Sequence, residues 1–205
     1  TTESGATNGE AAILCCKPNK ETATNFIVGV ANKRLMLAKD VVAYKNKHNQ
    51  SIDDFVREKV VLDTVLKQAK DAGIDQNFGQ QFFQDQMDAN KIIQKGYKKE
   101  WDSNKSTPEE EVPDLATATR PKVQEATTDM VLALAVFQLF RNDSSEDRLH
   151  CWHSLEENQK MINRYLSLKA PNGADAYRKA VVRLCAYVPN EEVKKIDEKA
   201  TKLLA

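Results

Sequence analysis

The sequence predicts an all-α fold, a single-domain bundle of about six to seven helices, and three observations carry that reading. Only 7 Gly and 6 Pro punctuate 205 residues, which leaves few places for turns. No segment sustains the two-residue alternation of a strand. Long stretches instead repeat apolar residues every three or four positions, the period of a buried helical stripe. A hydrophobic fraction of 41% supplies enough side chains for a sizeable core. The chain reads as one domain, with a flexible segment over 1–20 that is rich in small and polar residues, followed by a helical domain over 21–205.

The first helix is expected over 22–47, where Ile27, Val30, Leu37 and Val41 recur at helical spacing before an Asn/Gln/His-rich exit. Ser51 is the expected cap of a second helix, which continues to about Ala72 and is stopped by Gly73. Asp75 opens a third helix reaching Trp101, with Phe83, Met87 and Tyr97 on one face. Residues 102–113 hold two Pro and three consecutive Glu and read as a linker. A fourth helix spans 115–140 with a very apolar middle, and a fifth spans 146–168. Pro171-Asn172-Gly173 marks a turn, and helices over 174–187 and 191–204 finish the chain, separated by Pro189-Asn190. The first three helices, about 22–101, form one half of the domain and 114–205 the other.

Thirty basic residues balance thirty acidic ones with no long run of either sign. That argues against a nucleic-acid partner, which selects a basic face. No stretch approaches the length of a membrane-spanning helix, and 11–16 is too short for the apolar region of a signal peptide. His48, His150 and His153 form no Cys/His cluster with zinc-ligand spacing, so no metal is expected. The four cysteines allow three full pairings. A Cys151–Cys185 bridge would close a loop of about 35 residues, worth roughly 4 kcal/mol on the chain-entropy model, while buried free thiols are the equal alternative. Cys15 and Cys16 are adjacent near the N-terminus. Asn49-Gln50-Ser51, Asn104-Lys105-Ser106 and Asn142-Asp143-Ser144 match the glycosylation triplet, a pattern frequent by chance.

The informative departure is polar residues on the inner stripes. Arg34 and Lys45 share the stripe of Ile27 and Val41; Asp54, Arg57 and Glu58 fall in line with Val61 and Val65; Asn90 and Gln94 sit with Phe83 and Met87. Each has a bland reading. Arg34 could snorkel and pair with Asp40 or Glu21, Asp54, Arg57 and Glu58 could form an exposed pair, and the two amides could bond a neighbouring helix. Three stripes with the same departure point instead to a pocket for a small hydroxylated anion, because desolvating unpartnered charge is costly.

The run from Arg34 to Lys45 reads R-x10-K, and Asp54-Phe55-Val56-Arg57-Glu58 reads D-x-x-R-E on the next helix. This pattern resembles the active-site signature of the all-helical chorismate mutases, and 83–94 resembles the part that supplies their last polar contacts. The second half resembles the exported subclass, in which one chain completes its own site. There, a later helix replaces the arginine that a partner lends in the small intracellular members, often in a D-L-x-x-x-R context. Here Asp114-Leu115 is followed by Arg120, one residue beyond that spacing.

The resemblance implies cofactor-free conversion of chorismate to prephenate. Arg34, Arg57 and Arg120 would hold the two substrate carboxylates, and Lys45 and Gln94 would donate to the ether oxygen. Asp54 and Glu58 would orient the ring hydroxyl, with Asn90, where relatives often have Ser or Thr, assisting a carboxylate or that hydroxyl. It further implies export to a periplasm or the exterior, a late disulfide that Cys151 and Cys185 would fit, and a possible homodimer with self-contained sites. The alternatives are isochorismate pyruvate lyase on the same fold and a non-catalytic secreted helical-bundle interaction protein.

Overall fold

The computed structural model describes residues 19–104, 111–141, 144–166 and 170–186, and every regular element among them is helical. In chain order these are α1 (Lys20–Met36), α2 (Ala38–Lys47), α3 (Phe55–Asp71), α4 (Gln76–Asn104), a π-helical turn (Leu115–Thr119), α5 (Arg120–Leu139), α6 (Ser145–Leu166), α7 (Gly173–Val181) and a 3-10 turn (Val182–Ala186). Cys15, Cys16, the segment 1–18, the helix expected over 191–204, Pro189-Asn190, the middle of the linker (105–110), and parts of two glycosylation triplets lie outside the described residues.

Side-chain caps set most helix starts. Asn19 accepts from the Thr22 N–H at 2.9 Å while Thr22 accepts from the Asn19 N–H at 2.8 Å, closing a reciprocal box at the head of α1. The second expected helix starts later than Ser51, with Asp54 as its cap: its Oδ1 accepts from the Arg57 N–H at 3.0 Å. Gly73, at φ +74, ends that helix as expected. Asp75 caps α4 through the Phe78 N–H at 2.7 Å, and α4 runs on to Asn104, three residues beyond the expected Trp101. The single helix expected over 22–47 is two helices, divided at Leu37, whose ψ of −10 opens the turn. No Gly or Pro marks that break.

α1 runs through the middle of the molecule and packs on α5, α6, α7 and α4, while α4 also packs on α7, α2 and α3. Ile27 and Leu35 of α1 meet Phe82 and Ile93 of α4, Met130, Leu134 and Phe137 of α5, and Tyr177 of α7 in one core, each at most 2% exposed. Close packing of this kind holds the helices in fixed register. At Gly96 a Cβ would lie 2.8 Å from the Pro171 Cβ, so α4 can touch the Pro171 turn only where it has no side chain. Asn172 completes that turn at φ +58.

The far end of the bundle is tied by polar and covalent bonds. Arg141 and Asp147 form an ion pair at 2.5 Å with both side chains 1% exposed, and Lys20 of α1 binds the same carboxylate. Arg141 also donates to the Cys185 carbonyl at 3.2 Å. Cys185 is joined to Cys151 by a disulfide with its Cα atoms 5.5 Å apart, which clips the 3-10 turn to α6. Loop closure of this length contributes about 2–4 kcal/mol. Reduction, or replacement of both cysteines by serine, should therefore lower the Tm by about 5–15 °C in a chain of this size. Melting curves with and without reductant decide it, and coincident curves would leave the bridge without a stabilising role.

Candidate active site

A cavity of about 200 Å³ opens between α1, α2, α3, α4 and the start of α5. All eight residues singled out on the inner stripes, or placed there by the resemblance, line it. Arg34 comes from the last turn of α1, and Lys45 from α2. Asp54, Arg57 and Glu58 come from the head of α3, Asn90 and Gln94 from successive turns of α4, and Arg120 from the head of α5. The break at Leu37 does not separate Arg34 from Lys45, and both still face one space.

Arg34 is 6% exposed. Its Nη1 donates to the Gln86 carbonyl at 2.8 Å and its Nε to the Thr127 hydroxyl at 3.4 Å. Neither Asp40 nor Glu21 reaches it, and among the described residues no carboxylate pairs with it. Desolvation pulls its guanidinium down to about 10, still charged at neutral pH. Arg57 and Arg120 stand exposed at the cavity mouth, and neither forms an ion pair among the described residues.

Lys45 is half-buried, and its Nζ donates to the Ile52 carbonyl at 2.6 Å. Burial lowers its pKa, opposed by Asp54, Glu58 and Asp53 and assisted by Arg120. Asp54 serves the fold as the α3 cap, and the Asp54 N–H donates to Glu58 Oε1 at 3.3 Å. The second Glu58 oxygen is held by Lys91 at 3.0 Å. Lys91 also lines the cavity and is not legible in the sequence as a site residue, since it lies one position off the Asn90–Gln94 stripe. Desolvation acts to lower the Lys91 pKa, but the bond to Glu58 and the charges of Glu58, Asp88 and Asp53 together outweigh it and raise the value. Gln86 and Thr127, which seat Arg34, carry no sequence signal beyond being polar residues in apolar helices.

Asn90 bonds a neighbouring helix as the bland reading expects, Gln94 bonds Asn90 on its own helix instead, and both still line the cavity. Asn90 Nδ2 donates to the Arg34 carbonyl at 3.3 Å, and Gln94 Nε2 donates to Asn90 Oδ1 at 2.6 Å. Gln94 is 5% exposed, and its Oε1 is buried without a hydrogen-bond partner.

Arg120 reaches the cavity through the π-helical turn. The Thr119 N–H bonds the Asp114 carbonyl at 3.1 Å, five residues back, and the Arg120 N–H bonds Leu115 in the same way. A π turn holds one residue more than an α turn while leaving both flanks in register. The extra residue between Asp114-Leu115 and Arg120 is absorbed there, and both Leu115 and Arg120 line the cavity.

An all-helical bundle around a pocket with three arginines, two lysines, four carboxamides and only two carboxylates defines a binder or transformer of small anions. Comparison with known proteins narrows this. The family model described as chorismate mutase type II matches residues 24–95. A monofunctional chorismate mutase from Enterobacter agglomerans is 35% identical over 119 residues, 57% of this chain and 64% of that protein, so the match spans just under two thirds of its length. A chorismate mutase from Methanocaldococcus jannaschii is 38% identical over 76 residues, 37% of this chain and 77% of that protein. The crystal structure of a chorismate mutase from Burkholderia thailandensis matches with a TM-score of 0.71 at 32% identity, covering 80% of this chain and 99% of that one. The chain belongs to the type II chorismate mutase family.

A buried cation without a counter-ion is a burden on the fold unless a ligand supplies the anion. Arg34→Met keeps much of the volume and removes the charge. Its Tm should stay level or rise by a few degrees, read by calorimetry without ligand. A fall of more than about 5 °C, beyond roughly 1–2 kcal/mol in a chain of this size, would mean that Arg34 holds the bundle together.

Proposed function

We propose that this chain is a chorismate mutase, converting chorismate to prephenate by a cofactor-free Claisen rearrangement. The observation that carries the proposal is Arg34, a buried guanidinium with no carboxylate partner among the described residues, at a cavity whose mouth holds two more arginines. Chorismate brings two carboxylates, and guanidinium groups bind carboxylates by paired, charge-assisted hydrogen bonds. Arg34, Arg57 and Arg120 clamp the substrate in its folded, reactive conformer, which removes most of the entropic barrier. Negative charge grows on the ether oxygen as its bond to carbon breaks. Lys45 and the free N–H of Gln94 donate to that oxygen, an interaction strongest in the transition state. Glu58, fixed by Lys91, and Asp54 accept from the ring hydroxyl.

All eight groups come from one chain, which supports a site that needs no residue from a partner subunit. The disulfide suits a protein that folds in an oxidising compartment, and it supports export. Among the described residues no helix is long and apolar enough to cross a membrane.

The direct test is purified protein with chorismate and no additions, following loss of chorismate and formation of prephenate. Isochorismate is run in parallel with pyruvate release as the readout. Pyruvate from isochorismate with chorismate untouched would replace the mutase reading by the lyase one, and inertness toward both would sink both.

Lys45→Ala should lower kcat by about a hundred- to a thousandfold, the usual cost of one oxyanion donor. A kcat within about tenfold of wild type, some 1.4 kcal/mol, would remove Lys45 from the mechanism.

Gln94 is an amide and donates at every pH, so the wild-type rate should be flat through neutrality. In Gln94→Glu the donor exists only while the carboxyl is protonated, with a pKa that starts from about 4.3, raised by burial and opposed by the cations around it. Activity of that variant should therefore climb as pH falls and be poor at neutrality. A flat profile near the wild-type rate would exclude Gln94 as a donor.

A further inference from the structure

We infer that Asn90 is a positioning residue: it fixes which way the Gln94 carboxamide faces, and takes its own orientation from a main-chain carbonyl of α1. The inference rests on the proposed reaction, in which Gln94 donates to the ether oxygen.

The orienting group sits at the C-terminus of α1. The carbonyls of a last helical turn lack intrahelical partners, and the Arg34 carbonyl lies in that turn because the helix breaks at Leu37. A carbonyl only accepts, so the Asn90 atom that meets it at 3.3 Å is the amide nitrogen. The other Asn90 terminal atom is then the oxygen, which also only accepts. Gln94, one turn along α4, must therefore present its nitrogen, and it does so at 2.6 Å.

The polarity of both amides is thus dictated by one backbone group. Turning the Gln94 amide over would set two carbonyl oxygens against each other at that distance, in a site too buried for water screening. The native arrangement leaves Gln94 Oε1 buried without a partner. An unpaired buried acceptor is unfavourable, so Gln94 keeps this orientation because Asn90 holds it. With one N–H committed to Asn90, the second has no partner among the described residues and is the donor offered to substrate. A hydroxyl at position 90 would have to donate and accept through one freely rotating oxygen. The Asn carboxamide divides the two roles between separate atoms in a fixed plane, donating to α1 and accepting from Gln94 at once. Arg34 then serves the site twice, its guanidinium for the substrate and its carbonyl for the amide pair.

A double-mutant cycle separates this role from direct substrate contact. Asn90→Ala should lower kcat by about ten- to a hundredfold, the scale expected for a misplaced group, with KM within about threefold. In a Gln94→Ala background the same change should cost less than about twofold, since nothing remains to position. Asn90→Leu, which keeps the branched shape without the polar atoms, is carried alongside so that poor folding of one variant does not decide the outcome. A full loss that persists in the Gln94→Ala background, or a loss confined to KM, would show Asn90 touching substrate and overturn the inference. Should Gln94→Ala alone cost nothing, Gln94's own role in the proposed reaction fails and the positioning role fails with it.

Discussion

The arrangement of this bundle turns on a cation kept dry. A guanidinium inside a protein loses its hydration and is normally compensated by a carboxylate at hydrogen-bond distance. Among the described residues Arg34 has a main-chain carbonyl and a hydroxyl for partners, and no carboxylate. Those two neutral acceptors fix its direction without cancelling its charge, and the positive potential is left to act on the cavity. The acidic residues nearby are committed elsewhere: Glu58 to Lys91 and to the Asp54 N–H, Asp54 to the start of α3. Had either carboxylate turned inward onto Arg34, the fold would be more comfortable and the charge of that arginine would be lost to the pocket. Selection for an anion site therefore reads out as a set of local bonds that keep carboxylates away from one arginine.

The same bonds show why some of the site was legible in the sequence and some was not. Helical periodicity maps position onto face, so Arg34, Lys45, Arg57, Asn90 and Gln94 could be seen as polar intrusions on apolar stripes, and the cavity does gather them. Periodicity carries no information about residues that reach the site from beside a stripe. Lys91 arrives by the length of its side chain, and Thr127 and Gln86 act through a hydroxyl and a main-chain carbonyl that any polar or helical residue possesses. The break at Leu37 was invisible because it involves neither Gly nor Pro and consists of one shallow ψ angle. Ser51 and Asp54 are both good capping types, and only the course of the chain after α2 selects between them.

Arg120 shows a register problem with a backbone solution. Counting residues places it one step away from where the family spacing would put it, and an α-helix would convert that step into a rotation of about 100°. The π turn takes up the additional residue without rotating the helix beyond it. A spacing rule written in residues is thus a proxy for a rule written in angles, and helices can satisfy the second while violating the first.

The length of α4 has a consequence for how the molecule breathes. At 29 residues it is a rod of about 44 Å, and Asn90 and Gln94 lie near its middle, several turns from either end. Helices open from their termini inward, and the amides that exchange with solvent most slowly are those whose release requires the whole element to come away. Gly96, pressed against the Pro171 turn, pins the rod just beyond the site. The groups around the cavity on this helix therefore sit away from its fraying ends. The head of α3 is the cavity wall that faces solvent most, with Phe55 75% and Val56 80% exposed. A small molecule therefore enters past side chains that face solvent and meets groups carried on the middle of a long, packed helix.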